Sequence, residues 1–204
     1  MKRLLTVALL AASCASAPEP AATQPATPDT SLSQPSPAPE EPMAATEPNL
    51  YALKVPALDG KVADLSQYRG KVTLVVNVAS ECGFTPQYAG LEKLWKEYQG
   101  KGLVVLGFPS NEFGKQEPGD AEQIQAFCTK NFGVTFPLMA KVETKKGDGQ
   151  SPVYQYLTSA TGQQPNWNFC KYLVGKDGKA VAFWKSPVAP ESAELRGAID
   201  AALK

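Results

Sequence analysis

Half of the prolines in this 204-residue chain lie in residues 15–48, and this clustering limits which part of the chain can fold. The segment holds nine of the 18 prolines and five acidic residues, but no aromatic residue and no Lys or Arg. Such a composition buries too little apolar surface to offset the entropy of ordering the chain. We therefore expect an extended Pro-rich linker over residues 15–48. A single domain over residues 49–204 is long enough to bury a core.

Residues 1–14 have the pattern of a signal peptide. Lys2 and Arg3 precede a short apolar run, and small residues lead to Cys14. The run is too short to span a bilayer. Its end resembles the lipobox of bacterial lipoproteins, although Ala11 occupies the place where leucine is usual. The resemblance implies lipidation of Cys14 and a membrane-anchored protein on the periplasmic side. Simple cleavage and secretion is the alternative.

The chain contains no histidine, and this absence excludes several kinds of active site. Ser-His-Asp and Cys-His triads, His-ligated zinc and proximal-His haem all require an imidazole. The formal net charge is zero, which gives no support for nucleic-acid binding. An enzyme built from this chain must take its nucleophile, acid and base from Cys, Lys, Tyr, Asp or Glu. We predict neither a metal nor another cofactor.

The order of predicted elements in residues 49–204 indicates an α/β domain. The β-branched run 72–79 predicts a strand that is buried on both faces, and residues 103–108 predict a second. The other predicted elements are a hairpin over 51–65, strands over 136–142, 169–174 and 180–184, and helices over 86–98, 120–131, 152–158 and 190–203. This order implies a mixed central sheet with helices on both faces.

Cys82 lies between the first buried strand and the helix that follows it. Ligands of open α/β sheets bind at the carboxyl ends of strands. The partial positive charge of a helix N-terminus favours a thiolate over a thiol. A thiolate in this place is a nucleophile that also reacts with peroxides. From position alone, a small buried hydrophobic residue is an equally good interpretation.

Three further segments favour the functional interpretation, because with them the chain resembles the glutathione peroxidase family. They are Asn77-Val-Ala-Ser-Glu-Cys-Gly-Phe-Thr-Pro86, Leu106-Gly-Phe-Pro-Ser-Asn-Glu-Phe-Gly-Lys-Gln-Glu-Pro-Gly119 and Trp167-Asn-Phe-Cys-Lys-Tyr-Leu-Val-Gly175. The resemblance covers essentially all of residues 49–204 and none of residues 1–48. It implies a thioredoxin-like fold and a peroxidase that reduces hydrogen peroxide and organic or lipid hydroperoxides.

The resemblance also implies a catalytic tetrad of Cys82, Gln116, Trp167 and Asn168. The residue types suit this chemistry, because amide and indole N–H groups can stabilise a thiolate and hold a peroxide without any histidine. Taken singly, Trp167 would be interpreted as a core aromatic residue and Gln116 as a surface loop residue.

The cysteines other than Cys82 have separate expected roles. Cys128 matches the resolving cysteine of the family's cysteine-based members, which implies an intramolecular disulfide with Cys82 that a dithiol reductant reopens. The two residues are on different elements, so closing the bond requires local unwinding of the helix around Cys128. A structural disulfide or an inert cysteine is the alternative. If residues 167–174 form a strand, Cys170 shares a face with Asn168 and is a second candidate, although a free buried thiol is the simpler interpretation.

The sequence favours a thioredoxin-like protein over glutathione as the reductant. Arginine is suited to binding the carboxylates of glutathione, and the domain has only Arg69 and Arg196. The connection from Ser159 to Asn166 is short, whereas tetrameric members of the family carry an insertion there. By resemblance, the chain is a monomer with an open site.

Two other functions remain open from the sequence. A thiol–disulfide oxidoreductase normally uses a Cys-x-x-Cys pair, and Cys82 is followed by Gly-Phe-Thr instead. A non-enzymatic peroxide sensor or relay would use the same residues as the peroxidase.

Overall fold

The computed structural model describes residues 49–204. The predicted signal peptide, the predicted linker and the predicted lipidation site Cys14 lie outside the described residues. Strands β1–β6 are, in chain order, Lys54–Pro56, Val62–Asp64, Val72–Val78, Leu103–Pro109, Lys171–Val174 and Ala180–Trp184. Helices α1–α4 are Gln87–Tyr98, Ala121–Phe132, Pro152–Thr161 and Ala193–Leu203. Short 3-10 helices span Leu50–Ala52, Leu65–Tyr68 and Gln99–Lys101.

The four longer strands form a mixed sheet in the order β4-β3-β5-β6. β3 pairs parallel with β4 and antiparallel with β5, and β5 pairs antiparallel with β6. The predicted N-terminal hairpin is the separate pair β1-β2. Its turn contains Gly60 at φ 80°, a left-handed conformation that glycine adopts without strain.

Strand β3 is the centre of the core, because all seven of its residues are buried. Alternate side chains point to opposite faces of a strand. Leu74, Val76 and Val78 therefore join one apolar cluster with buried residues of α1, α2 and α4. Val75 joins a second cluster with α3 and the N-terminal hairpin. Helices thus cover both faces of the sheet, as the sequence predicts.

Helix α2 has clear sequence signals at both ends. Asp120 and Gln123 form a reciprocal capping box, in which each side chain accepts a bond from the other residue's backbone N–H. Gly133 ends the helix at φ 60°. These signals fix α2, and with it Cys128, close to the predicted bounds.

Two strand predictions need correction. Residues 136–142 make only isolated bridges, from Leu138 to Gly107 and from Met139 to Ala57, because Pro137 has no N–H and breaks the ladder. The strand predicted over residues 169–174 begins at Lys171, because Phe169 has a φ of 64° and turns the chain away from the extended conformation.

Within residues 49–204, no helix combines the length and the apolar character needed to cross a membrane.

Candidate active site around Cys82

A tight turn between β3 and α1 holds Cys82. The Thr85 hydroxyl donates to the Ala79 carbonyl at 2.8 Å and accepts from the Cys82 backbone N–H at 2.9 Å. The Thr85 N–H donates to the Cys82 carbonyl at 2.9 Å. These bonds close the loop on itself at the carboxyl end of β3. The position of the thiol is therefore fixed by backbone geometry rather than by its own packing.

The Cys82 side chain is largely buried, and its thiol accepts a backbone hydrogen bond. It is 7% exposed, and its Sγ accepts from the Phe84 N–H at 3.4 Å. The donor belongs to the turn that precedes α1, so the amide that faces the sulfur comes just before the helix and not from its first turn.

Gln116 and Asn168 form a direct amide pair beside this turn. Asn168 is fully buried, and its Nδ2 donates to Gln116 Oε1 at 3.0 Å and to the Phe113 carbonyl at 3.4 Å. The bond occupies the oxygen of the Gln116 amide, which leaves its NH₂ group as the available donor. Asn168 Oδ1 is buried and has no hydrogen-bond partner among residues 49–204. An unsatisfied buried acceptor of this kind is common where a site awaits a ligand or water.

Trp167 forms the exposed rim of the site. It is 38% exposed, which is unusual for a large aromatic side chain, and its ring lies 6.0 Å from that of Phe113 at an angle of 50°. Phe113 thus contacts Trp167 through its ring and Asn168 through its carbonyl. The indole remains open to solvent and to a bulky substrate.

Both amide residues are next to left-handed backbone. Lys115 precedes Gln116 with φ 54°, and Phe169 follows Asn168 with φ 64°. Non-glycine residues rarely adopt this region, and each instance costs about 1–2 kcal/mol. The surrounding fold therefore holds the two amides in an orientation that an unconstrained chain would avoid.

Asn77 is a site residue that the sequence analysis did not single out. Its Nδ2 donates to the Trp167 carbonyl at 2.9 Å, and its Oδ1 accepts from the Cys170 N–H at 3.0 Å. Its backbone carbonyl accepts from the Phe169 N–H at 2.6 Å. Asn77 therefore fixes the whole turn that carries Trp167 and Asn168. A polar residue inside the otherwise apolar β3 run was the available signal.

The four predicted tetrad residues come together on one side of the sheet, but not through bonds to the sulfur. The Glu81 N–H, next to Cys82, donates to the Gln116 carbonyl at 3.0 Å and joins the thiol turn to the amide pair. In the described part of the chain, Cys82 Sγ accepts no hydrogen bond from the side chains of Gln116, Trp167 or Asn168. Gln116 and Asn168 therefore lie beside the turn of Cys82 without bonding to its sulfur.

Cys128 lies in a different environment from Cys82. It is fully buried in α2, and the three cysteines of residues 49–204 are all free thiols. Burial, with a smaller contribution from the charge of Glu117, raises the pKa of the Cys128 thiol to about 11, and the nearby Tyr88 hydroxyl only partly counteracts this. Cys82 and Cys128 belong to the same apolar cluster.

Cys170 does not share a face with Asn168, so that expectation is wrong. Asn168 lies in the turn before β5 and points to Gln116, whereas Cys170 Sγ contacts Asn166 Oδ1 at 3.5 Å and Ser186 Oγ at 3.7 Å. The strand needed for the shared face begins only at Lys171. Cys170 is a buried thiol in a polar niche of its own.

Lys171 is a second residue that the sequence analysis did not single out. It is fully buried, and its ammonium donates to Gln87 Oε1 at 2.5 Å and to the Val188 carbonyl at 2.6 Å. Burial lowers its pKa to about 8. Through these two hydrogen bonds, Lys171 connects the first residue of α1 to the turn after β6. The start of the helix that follows Cys82 is thereby held against the sheet.

A known protein family and several known sequences match most of this chain. A family model described as "Glutathione peroxidase" matches residues 50–158. "Glutathione peroxidase-like peroxiredoxin GPX5" of Chlamydomonas reinhardtii is 49% identical over 149 residues, which cover 71% of this chain and 91% of that protein. "Hydroperoxy fatty acid reductase gpx1" of Synechocystis is 43% identical over 152 residues, which cover 70% and 89%.

Solved structures agree on the fold. The structure described as "Crystal structure of Trgpx in apo form" has a TM-score of 0.62 and 38% identity, covering 77% of this chain and 96% of that one. Thioredoxin-family structures of much lower identity share the same architecture. The fold is thioredoxin-like, with a mixed central sheet and helices on both faces.

Proposed function

Because this chain belongs to the glutathione peroxidase family, and is therefore a thiol peroxidase that reduces hydroperoxides, we propose that Cys82 attacks the peroxide and that Cys128 closes the cycle. The single observation that carries the assignment is the contrast between the two thiols. Cys82 is 7% exposed and has a backbone N–H on its sulfur, and its turn is bonded through Glu81 to the Gln116 of the amide pair. Cys128 is buried and held as a neutral thiol.

The peroxide-reducing step uses the amide pair and the indole. The Cys82 thiolate attacks one peroxide oxygen, the O–O bond breaks, and Cys82 becomes a sulfenic acid while an alcohol or water departs. The free NH₂ group of Gln116 and the exposed edge of Trp167 are donors for the departing oxygen. Asn168 holds the Gln116 amide in the orientation that presents nitrogen rather than oxygen.

The second step returns the sulfenic acid to a reducible form. Cys128 attacks the Cys82 sulfur, which forms an intramolecular disulfide and releases water. A fully buried cysteine in the middle of α2 cannot reach another element without local opening of that helix. Opening also removes the burial that keeps its pKa high, so the second thiol becomes reactive only when it is needed.

Disulfide mapping tests this assignment. The protein receives one equivalent of hydroperoxide, the remaining thiols are alkylated under denaturing conditions, and peptides are analysed by mass spectrometry. We expect a disulfide between Cys82 and Cys128, with Cys170 alkylated. A Cys170→Ser variant is the matched control, and it should give the same disulfide. A bond between Cys82 and Cys170, or none at all, would remove Cys128 from the cycle.

The proposed reductant is a thioredoxin-like protein. Both arginines of the domain are engaged elsewhere, since Arg69 donates to the Tyr51 carbonyl and Arg196 pairs with Glu97. Neither is available as a clamp for glutathione carboxylates. In a coupled peroxide assay, turnover with thioredoxin should exceed turnover with glutathione, and the reverse ranking would contradict the proposal.

An open site suits bulky substrates. Trp167 is exposed at the rim, and the short segment between α3 and β5 leaves it uncovered. We propose that the chain acts as a monomer on organic and lipid hydroperoxides as well as on hydrogen peroxide. The Synechocystis relative, which is described as a hydroperoxy fatty acid reductase, supports the lipid substrate class.

We also propose that Cys14 carries a lipid anchor that places the enzyme on the periplasmic side of a membrane. The support is the sequence pattern of residues 1–14. The intact mass of protein extracted from membranes provides the test. A diacylglyceryl-sized increment on a chain that starts at Cys14 is expected, and an unmodified mature chain found free in the periplasm would contradict the anchor.

A further inference from the structure

The carboxylate of Glu117 is a buried charged group that the proposed peroxide-reducing step does not use. Glu117 follows Gln116 directly and is fully buried, and its backbone N–H is held by Asn111 Oδ1 at 2.8 Å. Neither of its carboxylate oxygens forms a hydrogen bond of conventional geometry within residues 49–204, although Ser80 is near enough to favour the charged form. A buried carboxylate without partners is costly and normally marks a functional group or an exchangeable proton.

A cavity connects Glu117 with the two cysteine-bearing elements. It has a volume of about 440 Å³ and is lined on one side by Ser80 and Glu81, which directly precede Cys82. On the other side it is lined by Ile124 and Phe127 of α2. Phe127 is the neighbour of Cys128 in the chain, and Ile124 lies one turn before it. The cavity therefore lies between the turn of Cys82 and the part of α2 that must open.

Polar and charged groups before Cys82 and after α2 act on the Glu117 carboxyl. Burial is the main cause that raises its pKa, to about 7, with Glu81 adding to the effect and Ser80 and Lys141 opposing it. The charge of Glu117 in turn raises the pKa of Cys128 in α2 and of Tyr88 in α1. Glu117 lines the same cavity as Ile124, which lies on the same face of α2 as Cys128, one turn before it. The Tyr88 hydroxyl, which is also buried without a conventional partner in the described chain, faces the Cys128 thiol.

We infer that Glu117 accepts the proton of the Cys128 thiol in the step that forms the Cys82–Cys128 disulfide. This assignment rests on the proposed function. The Cys128 S–H bond breaks and its proton passes to the Glu117 carboxylate, while the sulfur bonds to the Cys82 sulfur. The S–O bond of the sulfenic acid breaks at the same time. The departing hydroxide takes up a proton from the Glu117 carboxyl and leaves as water.

Electrons balance without any external reagent. The Cys82 sulfur of the sulfenic acid is reduced, and the Cys128 sulfur is oxidised by the same amount. A base is needed because the thiolate is the attacking species, and even a thiol of ordinary pKa is mostly protonated at neutral pH. A carboxylate that titrates near the working pH is well matched to this task. The cavity gives the water product a way out.

The test separates the two chemical steps in Glu117→Gln, which keeps the shape of the side chain but cannot accept the proton. Peroxide consumption in a single turnover measures the first step, and acid-quenched alkylation measures disulfide formation. We expect disulfide formation to slow about 10- to 100-fold at pH 7 while the first step changes less than about twofold. The matched control is Glu122→Gln, which removes an exposed carboxylate from the first turn of α2, the helix that carries Cys128.

The pH profile distinguishes a proton acceptor from a structural residue. In the wild type, the rate of disulfide formation should rise through about pH 7 and then level off, as the Glu117 carboxyl ionises. In Glu117→Gln it should lack this inflection and keep rising toward alkaline pH. Equal rates and profiles in the two proteins would overturn the inference.

Three outcomes keep the test decisive. If Glu117→Gln does not fold, a wild-type profile with no rise through pH 7 overturns the inference by itself. If the wild type forms no Cys82–Cys128 disulfide, the proposed function fails. If that disulfide forms equally well in both proteins, only the role of Glu117 fails.

Discussion

Cys82 and Cys128 belong to one apolar cluster, yet the immediate surroundings of the two sulfurs differ. Cys82 lies in a turn at the end of a strand, 7% exposed, with a backbone N–H directed at its Sγ. Cys128 lies inside a helix, fully buried, with a carboxylate and a phenol beside it and a pKa raised to about 11. The first environment presents a backbone donor to the sulfur, and the second raises the pKa of the thiol through burial.

This difference teaches how one chain can hold two cysteines without premature bonding between them. The helix keeps the second thiol both unreactive and out of reach, and the same local opening removes both restraints. The two sulfurs therefore act in a fixed order, and the order follows from secondary structure.

The largest effect is expected from Cys82→Ser. A serine hydroxyl does not ionise near neutral pH and is a poor nucleophile toward peroxide, so turnover should fall at least about a thousandfold. The coupled assay with a dithiol reductant measures it. The control is Cys170→Ser, which removes the other buried thiol near the site and should retain turnover. Substantial activity in Cys82→Ser would show that the reacting sulfur is elsewhere.

Cys128→Ser should separate the steps. The first reaction with peroxide should proceed at close to the wild-type rate, because Cys128 contributes nothing to the Cys82 turn. Continuous turnover with thioredoxin should fall about tenfold or more, because no intramolecular disulfide is offered to the reductant. A stopped-flow burst of one equivalent per site followed by a slow phase is the expected trace. Normal cycling of this variant would contradict the two-cysteine scheme.

Asn77→Ala should affect only the Cys82 side of the contrast. It leaves the Trp167 carbonyl and the Cys170 N–H without their buried partner, which should lower the free energy of unfolding by about 2 kcal/mol. The turn that carries Asn168 loses its anchor, so the first step should also slow, while the rate of Cys128 alkylation in native protein should stay the same. Denaturant unfolding and single-turnover kinetics check the two parts. A wild-type first step in this variant would show that the turn is held by other contacts.

Glu117→Gln should change how stability depends on pH. The folded-state pKa of Glu117, about 7, lies above its ordinary value of 4.5, so the protonated form stabilises the fold. That contribution is complete below about pH 4.5 and is lost as the pH rises through 7. Between pH 5 and 8 the wild type should lose on the order of 2 kcal/mol relative to the variant. Parallel unfolding curves at both pH values would contradict the raised pKa.

The parts of the fold that the sequence predicts best are those with local signals. The apolar run of β3 and the capping box of α2 determine their elements through contacts within a few residues. Residues 136–142 had the apolar pattern of a strand, but the missing N–H of Pro137 limits them to isolated bridges. Because Phe169 has a left-handed backbone conformation, β5 begins two residues later than predicted. The amino-acid sequence does not reveal which non-glycine residue will adopt a positive φ.

The candidate site also contains residues that the sequence predicts and residues that only the folded structure reveals. Cys82, Gln116, Trp167 and Asn168 were predicted through the family resemblance, and they lie in the turns that follow β3 and β4 and precede β5. Asn77 and Glu117 could not be found by that means, because their importance lies in contacts with distant parts of the chain. Asn77 bonds to a turn 90 residues later, and Glu117 matters through a helix and a cavity that only the folded chain forms.

Trapping of the sulfenic acid tests the central contrast most directly. Cys128→Ser protein is treated with one equivalent of hydroperoxide in the presence of dimedone, and the labelled peptides are identified by mass spectrometry. The contrast predicts one label per chain, located on Cys82, with Cys170 unmodified. A label on Cys170 instead, or no trapped sulfenic acid while peroxide is still consumed, would contradict the assignment of Cys82 as the peroxide-reactive thiol.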